Sequence, residues 1–447
     1  MLDSLKTALA DKVSTSASDL ETHSHDESYP SRNPPMAVVY AQCLEDVQQT
    51  LSWAGETGTP VVPFGVGTSL EGHVLPQARS ITLDLCRMNR VLEVRPEDFV
   101  AVVEPGVTRE ALHAALKGTG LFFPVDPGAN ASLGGMASTN ASGTTTVRYG
   151  GMRQNVLALQ VVLANGEVLE LGRRVRKTSA GYDLKDLFIG AEGTLGVITR
   201  LTLKLHPLPA FVHTLRVFFG SLEAAADAAY ALMGSGLPLA RLELLDELSL
   251  RAINGYLGRD YPEKPALFVE FHSSTAEALG AESQVAMALM DEAGAVLVDA
   301  ARTQEERTAQ WEARHQLYWA QVAQHPGHKF MITDTAVPLS KMPDLVRYAQ
   351  ALLGELGLGG SIIGHVGDGN FHTLVAVNDE RYPDAEKYAM RLVEKALELG
   401  GTSTGEHGVG LRKKKFLAQE HGVALEWMRQ IKGLFDPQNL LNPGKIV

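Results

Sequence analysis

Between Pro60 and Leu205 the apolar positions come in short β-rich runs, PVVPF, SITLDL, VAVVEPG, LALQVVLANGEVLEL and GVITRLTLKL, divided by loops of glycine and small residues. This texture predicts a cradle built from strands. Ahead of it, DVQQTLSWAGETG carries Val47, Leu51 and Ala54 at helical spacing, which with AVVYAQ predicts a β-α-β opening. After HPLPA the texture changes. FVHTLRVFF reads as a strand, SLEAAADAAYALMGSG as a helix and ALFVEFH as a strand. Helical spacing then recurs in SQVAMALMDEAGA, RTQEERTAQWEARHQLYWAQVA, DLVRYAQALLGELG and AEKYAMRLVEKALELGG, alternating with the strand runs SIIGH and HTLVAV. The expectation is an α+β layer with helices on one face of an antiparallel sheet. It would begin between Pro207 and Ala210. No fixed-period repeat or low-complexity tract occurs, which excludes solenoids and propellers.

A chain of 447 residues, 45% hydrophobic and 21% charged, has the length and composition of two or three globular domains. Its net charge of -12 opposes phosphate backbones and anionic membrane surfaces, so nucleic acid is not an expected partner. Cys43 and Cys86 are the only cysteines, which excludes a disulfide scaffold and a cysteine-ligated iron-sulfur cluster and suits a reducing compartment. The opening segment lacks the basic start and apolar core of a secretory signal, and no run of about 18 apolar residues is present. The expectation is a cytoplasmic protein without a transmembrane segment, with attachment to the inner face of the membrane as a variant.

PFGVGTSLEG follows a strand, and its glycines would let main chain approach a phosphate closely. It is not a dinucleotide fingerprint, because Leu70 stands where a third glycine belongs and the next element is a strand. Taken alone, the loop reads as a plain tight turn more readily than as a nucleotide site. Two other stretches change its weight. VDPGANASLGGMASTNASGTTTVRYG, at 125–150, is almost entirely small and polar, too poor in apolar residues for a packed core and suited to wrapping a flat ligand. GAEGTLGVITR, at 190–200, adds a third glycine turn feeding a strand. Three such turns opening one sheet predict a cofactor cradle.

GHVGDGNFH holds His365 and His372, whose odd spacing would put them on opposite faces of one strand. A Gly-Asp-Gly-Asn turn makes a hairpin instead, and the two rings then share a side. STGEHGVG adds Glu406 and, beside it, His407. Two histidines and a carboxylate form a divalent-metal set with open positions. Adjacent side chains diverge, which leaves His407 for other work, such as a base. The plainer alternatives are a polar hairpin tip and a solvated loop acid, and Asp368 reads as a turn former. Arg314, in WEARHQLYWAQVA, has the fork that suits carboxylate recognition, against a surface ion pair with Glu312. Lys329 begins a strand in GHKFMITDTAVP and is equally ambiguous. LRKKKF, at 411–416, reads as a solvated helix face.

Together PFGVGTSLEG, FPVDPGANASLGGMASTNASGTTTVRYGGMRQNVLALQVVLANGEVL, GYDLKDLFIGAEGTLGVIT, GHVGDGNFH, TGEHGVG and FDPQNLLNPGKI resemble the FAD-linked D-2-hydroxy-acid dehydrogenases of the vanillyl-alcohol oxidase fold. The likeness is strongest to the branch that oxidises D-lactate with a cytochrome as acceptor. It spans roughly residues 25–447. It implies the fold class: α+β, with a two-lobed PCMH-type FAD-binding domain over 1–210, an α+β substrate cap over 211–425, and a tail, 426–447, returning to the FAD domain. By the same resemblance Pro63, Gly65, Gly67, Thr68 and Ser69 hold the pyrophosphate. Asp126, Pro127, Gly128, Ser132, Gly135, Ser138, Asn140, Gly143 and Tyr149 line the flavin. Glu192, Gly193, Gly196, Val197, Ile198 and Asn442 complete that site. Members that tether FAD carry a histidine in the first loop. Here it reads GVGTS and His73 lies beyond, so noncovalent FAD is expected.

The resemblance further implies His365, His372 and Glu406 as ligands of a divalent metal (Zn, Mn or Fe), His407 as proton acceptor, Arg314 as carboxylate anchor and, less firmly, Lys329 beside it. The implied reaction is oxidation of a D-2-hydroxy acid by hydride transfer to flavin N5. Leu374 favours a short alkyl side chain over a second carboxylate. No haem-attachment or cluster motif is present, so electrons would leave to a separate cytochrome, quinone or electron-transfer flavoprotein. A homodimer is one expected assembly. Rival readings are a glycolate oxidase FAD subunit, a D-2-hydroxyglutarate dehydrogenase, a zinc hydrolase, a flavin-binding subunit without chemistry, and a lipid-synthesising relative that uses FAD without net oxidation.

Overall fold

The structure is a computed structural model that describes residues 2–27, 31–77 and 79–447. It has two compact units, one formed by Met1–Ser142, Gly150–Leu208 and Glu406–Val447, the other by Gly143–Tyr149 and Pro209–Gly405. The chain thus re-enters the first unit at Glu406, ahead of the position 426 expected from the sequence. Two buried carboxylates of the first unit, described below, hold residues 407–413.

The first unit contains two sheets. In one, Val38–Tyr40 and Val61–Phe64 flank Ile81–Asp84 in parallel, with Val13–Ser14 added at the edge. The crossover helix Leu44–Thr57 buries Val47, Leu51 and Ala54 against this sheet and ends at Gly58 in the left-handed region (φ 63°). Full burial of each such Val or Leu contributes about 1.5–3 kcal/mol. The other sheet is antiparallel, in the order Val91–Arg95, Val100–Val103, Val197–Lys204, Val156–Val162, Val168–Gly172. Each sheet has its own core, which makes the two lobes. The small-residue stretch at 125–150 contributes to the second of these cores after all. Its helix Leu133–Thr139 buries Leu133, Met136 and Ala137, because three apolar residues on one side of a short helix suffice where the neighbours are already apolar.

The second unit is built on one large antiparallel sheet, whose order runs Ala295–Ala300, Phe211–Phe219, Ala266–Ser273, Leu239–Leu245, Gly360–Gly364, Asn370–Val377, Lys329–Ile332. Helices Leu222–Gly234, Met342–Leu356 and Tyr382–Glu398 pack on one face around Leu242, Val269 and Phe371. Helices also cover the opposite face, contrary to the one-sided layer expected. Glu247–Leu257, Gln304–His315 and Leu317–Gln324 close over Phe268, Ile363 and Leu374. The strand sequences require this. Ala266–Ser273 is buried at seven successive positions, which a sheet open on one side does not allow. The single helix expected over RTQEERTAQWEARHQLYWAQVA is two, joined at Gln316. Among the described residues no helix is long and apolar enough to cross a membrane.

Candidate active site

The three glycine turns expected to open one sheet belong to both sheets of the first unit. Pro63 lies in the strand Val61–Phe64 of the four-stranded sheet and Gly65, Gly67, Thr68 and Ser69 follow that strand, whereas Val197 and Ile198 begin a strand of the five-stranded one. They converge all the same. A Cβ on Gly65 would overlap Ser132 Oγ at the cap of helix Leu133–Thr139, which carries Gly135 and Ser138. Asn140 ends that helix in the left-handed region, and Glu192 N donates to Ser138 O at 2.8 Å. Asp126, Pro127 and Gly128 lie in the coil leading to it. Ser69 Oγ is buried with no hydrogen-bond partner among the described residues. Close-packed glycine turns around an unmatched buried hydroxyl fit a phosphate-bearing ligand, and FAD is such a ligand. Gly143 and Tyr149 fall in the other unit, where Tyr149 Oη pairs with His272 Nδ1 at 2.7 Å.

The segment GEHGVGLRKK is shaped by two acids. Glu192 accepts from Val409 N at 2.6 Å and Gly410 N at 2.9 Å, so its carboxylate is committed to main chain. His73 Nε2 lies 3.3 Å from the same carboxylate, and although burial pushes the imidazole pKa down, the surrounding carboxylates, Glu192 foremost with Glu71 and Asp26, together outweigh it and raise it. Asn442 Nδ2 donates to His73 O and Glu192 O, which ties the C-terminal tail to this point. Glu71, fully buried, receives Leu411 N on its carbonyl at 2.8 Å and faces His407 Nδ1 at 3.4 Å with its carboxylate. Gly408 (φ 82°) has no room for a side chain, since a Cβ would stand 2.7 Å from Glu192 Oε1 and His73 Nε2. LRKKKF is therefore no solvated helix face. Lys413 is buried 3.5 Å from Glu71, Arg412 Nε lies 3.7 Å from it, and Lys414 donates to Val447 O.

In the second unit, the turn Val366–Asp368 joins Gly360–Gly364 to Asn370–Val377 as a hairpin. It sets the His365 and His372 ring centroids 5.4 Å apart. Asp368 is a turn residue, its N-H bonded to His365 O. His365 Nδ1 lies 2.5 Å from Glu243 Oε1, and His372 Nδ1 lies 3.1 Å from Thr333 O. Both acceptors lack a hydrogen, so both histidines carry Nδ1-H and present the Nε2 lone pair, the form in which histidine binds metals. Arg314 Nε donates to Glu243 Oε2 at 2.8 Å, so one fully buried carboxylate links the expected anchor to an expected ligand. Burial pushes the Glu243 pKa up, but the hydrogen bonds from His365 and Arg314 and the Arg314 charge outweigh it and lower it. Lys329 stands apart, exposed and opposite Val377.

Asp334, also buried, accepts from Asn370 Nδ2, Thr404 Oγ1 and Gly405 N, and lies 3.8 Å from His372 Nδ1. Gly405 is thereby fixed beside the hairpin, and Glu406 follows one peptide bond later, about 3.8 Å between Cα atoms. Glu71, Glu243 and Asp334 were not singled out in the sequence. The available signal was a charge inside an apolar strand, as in LARLELL, which marks a buried acid needing a partner.

Residues 208–446 match the family described as FAD linked oxidases, C-terminal domain, and residues 35–172 match an FAD binding domain. A probable D-lactate dehydrogenase, mitochondrial, of Danio rerio is 41% identical over 97% of this chain and 89% of its own length. A D-lactate dehydrogenase [cytochrome], mitochondrial, of Arabidopsis thaliana is 40% identical over 100% of this chain and 80% of its own. The solved structure of p-cresol methylhydroxylase with substrate bound superposes with a TM-score of 0.82 at 18% identity, covering 100% of this chain and 96% of that one. This last likeness is one of fold.

Proposed function

The chain belongs to the FAD-linked oxidases, and from that membership we propose that it oxidises a D-2-hydroxy acid, D-lactate to pyruvate, with the electrons leaving to an external acceptor. The observation that carries the reading is the pair His365 and His372, both held as Nδ1-H tautomers and joined through Glu243 to Arg314. Bound FAD supplies the two-electron acceptor, and a bound divalent ion, Zn, Mn or Fe, supplies a Lewis acid.

His365, His372 and Glu406 would hold the ion, two imidazoles and a carboxylate being donors of the kind such an ion takes. Arg314, oriented by Glu243, receives the substrate carboxylate and fixes which hydrogen at C2 faces the acceptor. His407 takes the hydroxyl proton. Leu374 shares a strand face with His372, two residues on, and is buried beside Phe330 and Ile363. An apolar neighbour there favours lactate over a dicarboxylate, whose second charge would be buried unpaired. Lys329, exposed at its strand's start, is proposed only as an outer contact for the acid. The FAD is noncovalent in this reading, as His73 is turned to Glu192. The cytoplasm is the proposed compartment, beside relatives named as mitochondrial, and imaging of a tagged chain tests it.

The deciding experiment is a panel of D- and L-2-hydroxy acids with a dye acceptor, before and after chelation. We expect a yellow protein, preference for D-lactate, and loss of turnover on chelation. A colourless protein would remove the flavin reading, and turnover indifferent to chelator would remove the metal.

A further inference from the structure

The carboxylate of Glu71 is fully buried, and its Oε1 is met by His407 Nδ1 at 3.4 Å and Lys413 Nζ at 3.5 Å, its Oε2 by Arg412 Nε at 3.7 Å. Burial raises its pKa, but the charges of Lys413 and Arg412, with the contact to His407, outweigh burial and lower it, so the group is a carboxylate. The backbone makes the placement rigid. Glu71 O accepts from Leu411 N and Arg412 N, and a side chain on Gly410 would collide with that same carbonyl. A counter-ion for two cations could sit at the surface. This one is enclosed, and it faces one particular nitrogen of the residue proposed as base.

We propose that Glu71 is the positioning residue for His407: it holds Nδ1 as the protonated nitrogen, so that Nε2 is the one that accepts the substrate's hydroxyl proton. The proposal rests on the reading of His407 as base. In the step, the O-H bond of the 2-hydroxy acid breaks and an Nε2-H bond forms, while Nδ1-H stays on the ring and Glu71 stays ionised, stabilising the imidazolium. A separation of 3.4 Å is long for a hydrogen bond, as such pairs are before substrate binds.

The test uses flavin-loaded wild type, E71Q, E71D, H407A and the double variant E71Q/H407A. Flavin occupancy is measured first, and D-lactate then reduces the flavin in single turnover. We expect E71Q to keep its flavin and its KM within about twofold, to slow reduction about 10- to 100-fold, and E71D to restore part of the rate. In the H407A background the same change should cost less than about twofold, because the two residues act as a unit. Equal slowing in both backgrounds would overturn the proposal. Should E71Q lose flavin, E71D carries the same comparison. Nitrogen NMR of labelled histidine gives a readout independent of turnover: Nδ1-H for His407 in wild type and a mixture in E71Q are expected, and an unchanged tautomer overturns the proposal. If H407A reduces flavin at the wild-type rate, the reading of His407 as base fails, and the NMR result then judges the Glu71 contact alone.

Discussion

Glu243 Oε1 accepts the Nδ1-H of His365 at 2.5 Å from a position with no solvent exposure. Glu243→Gln keeps the volume but cannot accept from both His365 and Arg314 as an anion. We expect affinity for a divalent metal to fall about 10- to 100-fold with flavin content unchanged, read as metal retained after dialysis.

Arg314→Lys removes the planar fork and the Nε donor to Glu243. A lost charge-assisted hydrogen bond is worth about 1.5–3 kcal/mol, so KM for D-lactate should rise at least about tenfold. An unchanged KM would take Arg314 out of substrate binding.

Asn442→Leu strips two carbonyls, His73 O and Glu192 O, of their donor inside the first unit. At about 1–3 kcal/mol for each buried group left unmatched, the urea midpoint should fall clearly and flavin should dissociate earlier in the same titration.

Asp246 caps helix Glu247–Leu257 by accepting from Ser249 N at 2.8 Å and also accepts from Ile362 N at 2.6 Å. Burial raises its pKa from 3.8 to about 6. The folded chain therefore holds a proton between about pH 4 and 6 that the unfolded chain has released. Stability from this group is full below pH 4 and is lost as pH rises through 6, about 3 kcal/mol in all. Asp246→Asn has no proton to lose, so its stability relative to wild type should climb across that window. Urea midpoints from pH 4 to 7 measure it.

Acid precipitation should release the yellow chromophore into the supernatant, as expected when no histidine of the first glycine loop is present to tether FAD. Colour retained in the washed pellet would show a covalent bond.

Much of this protein is local and therefore readable along the chain. The β-α-β opening, the strand Phe211–Phe219 and the hairpin carrying His365 and His372 follow from periodicity and from a Gly-Asp-Gly turn, which involve only neighbouring residues. The glycine turns, the metal-type donors and the fork of Arg314 were visible as residue types, because chemistry limits which side chains can serve. Tertiary structure decided what each of them faces. It assigned Glu243 to two of the candidate side chains, used Glu71 and Glu192 to shape the loop around His407, and turned Lys413 of LRKKKF from an apparent solvated residue into a buried counter-charge. Glu243 and His365 are far apart in sequence, as are Glu71 and Lys413. A buried charge chooses its partner from whatever the fold encloses with it, and no local pattern records that choice.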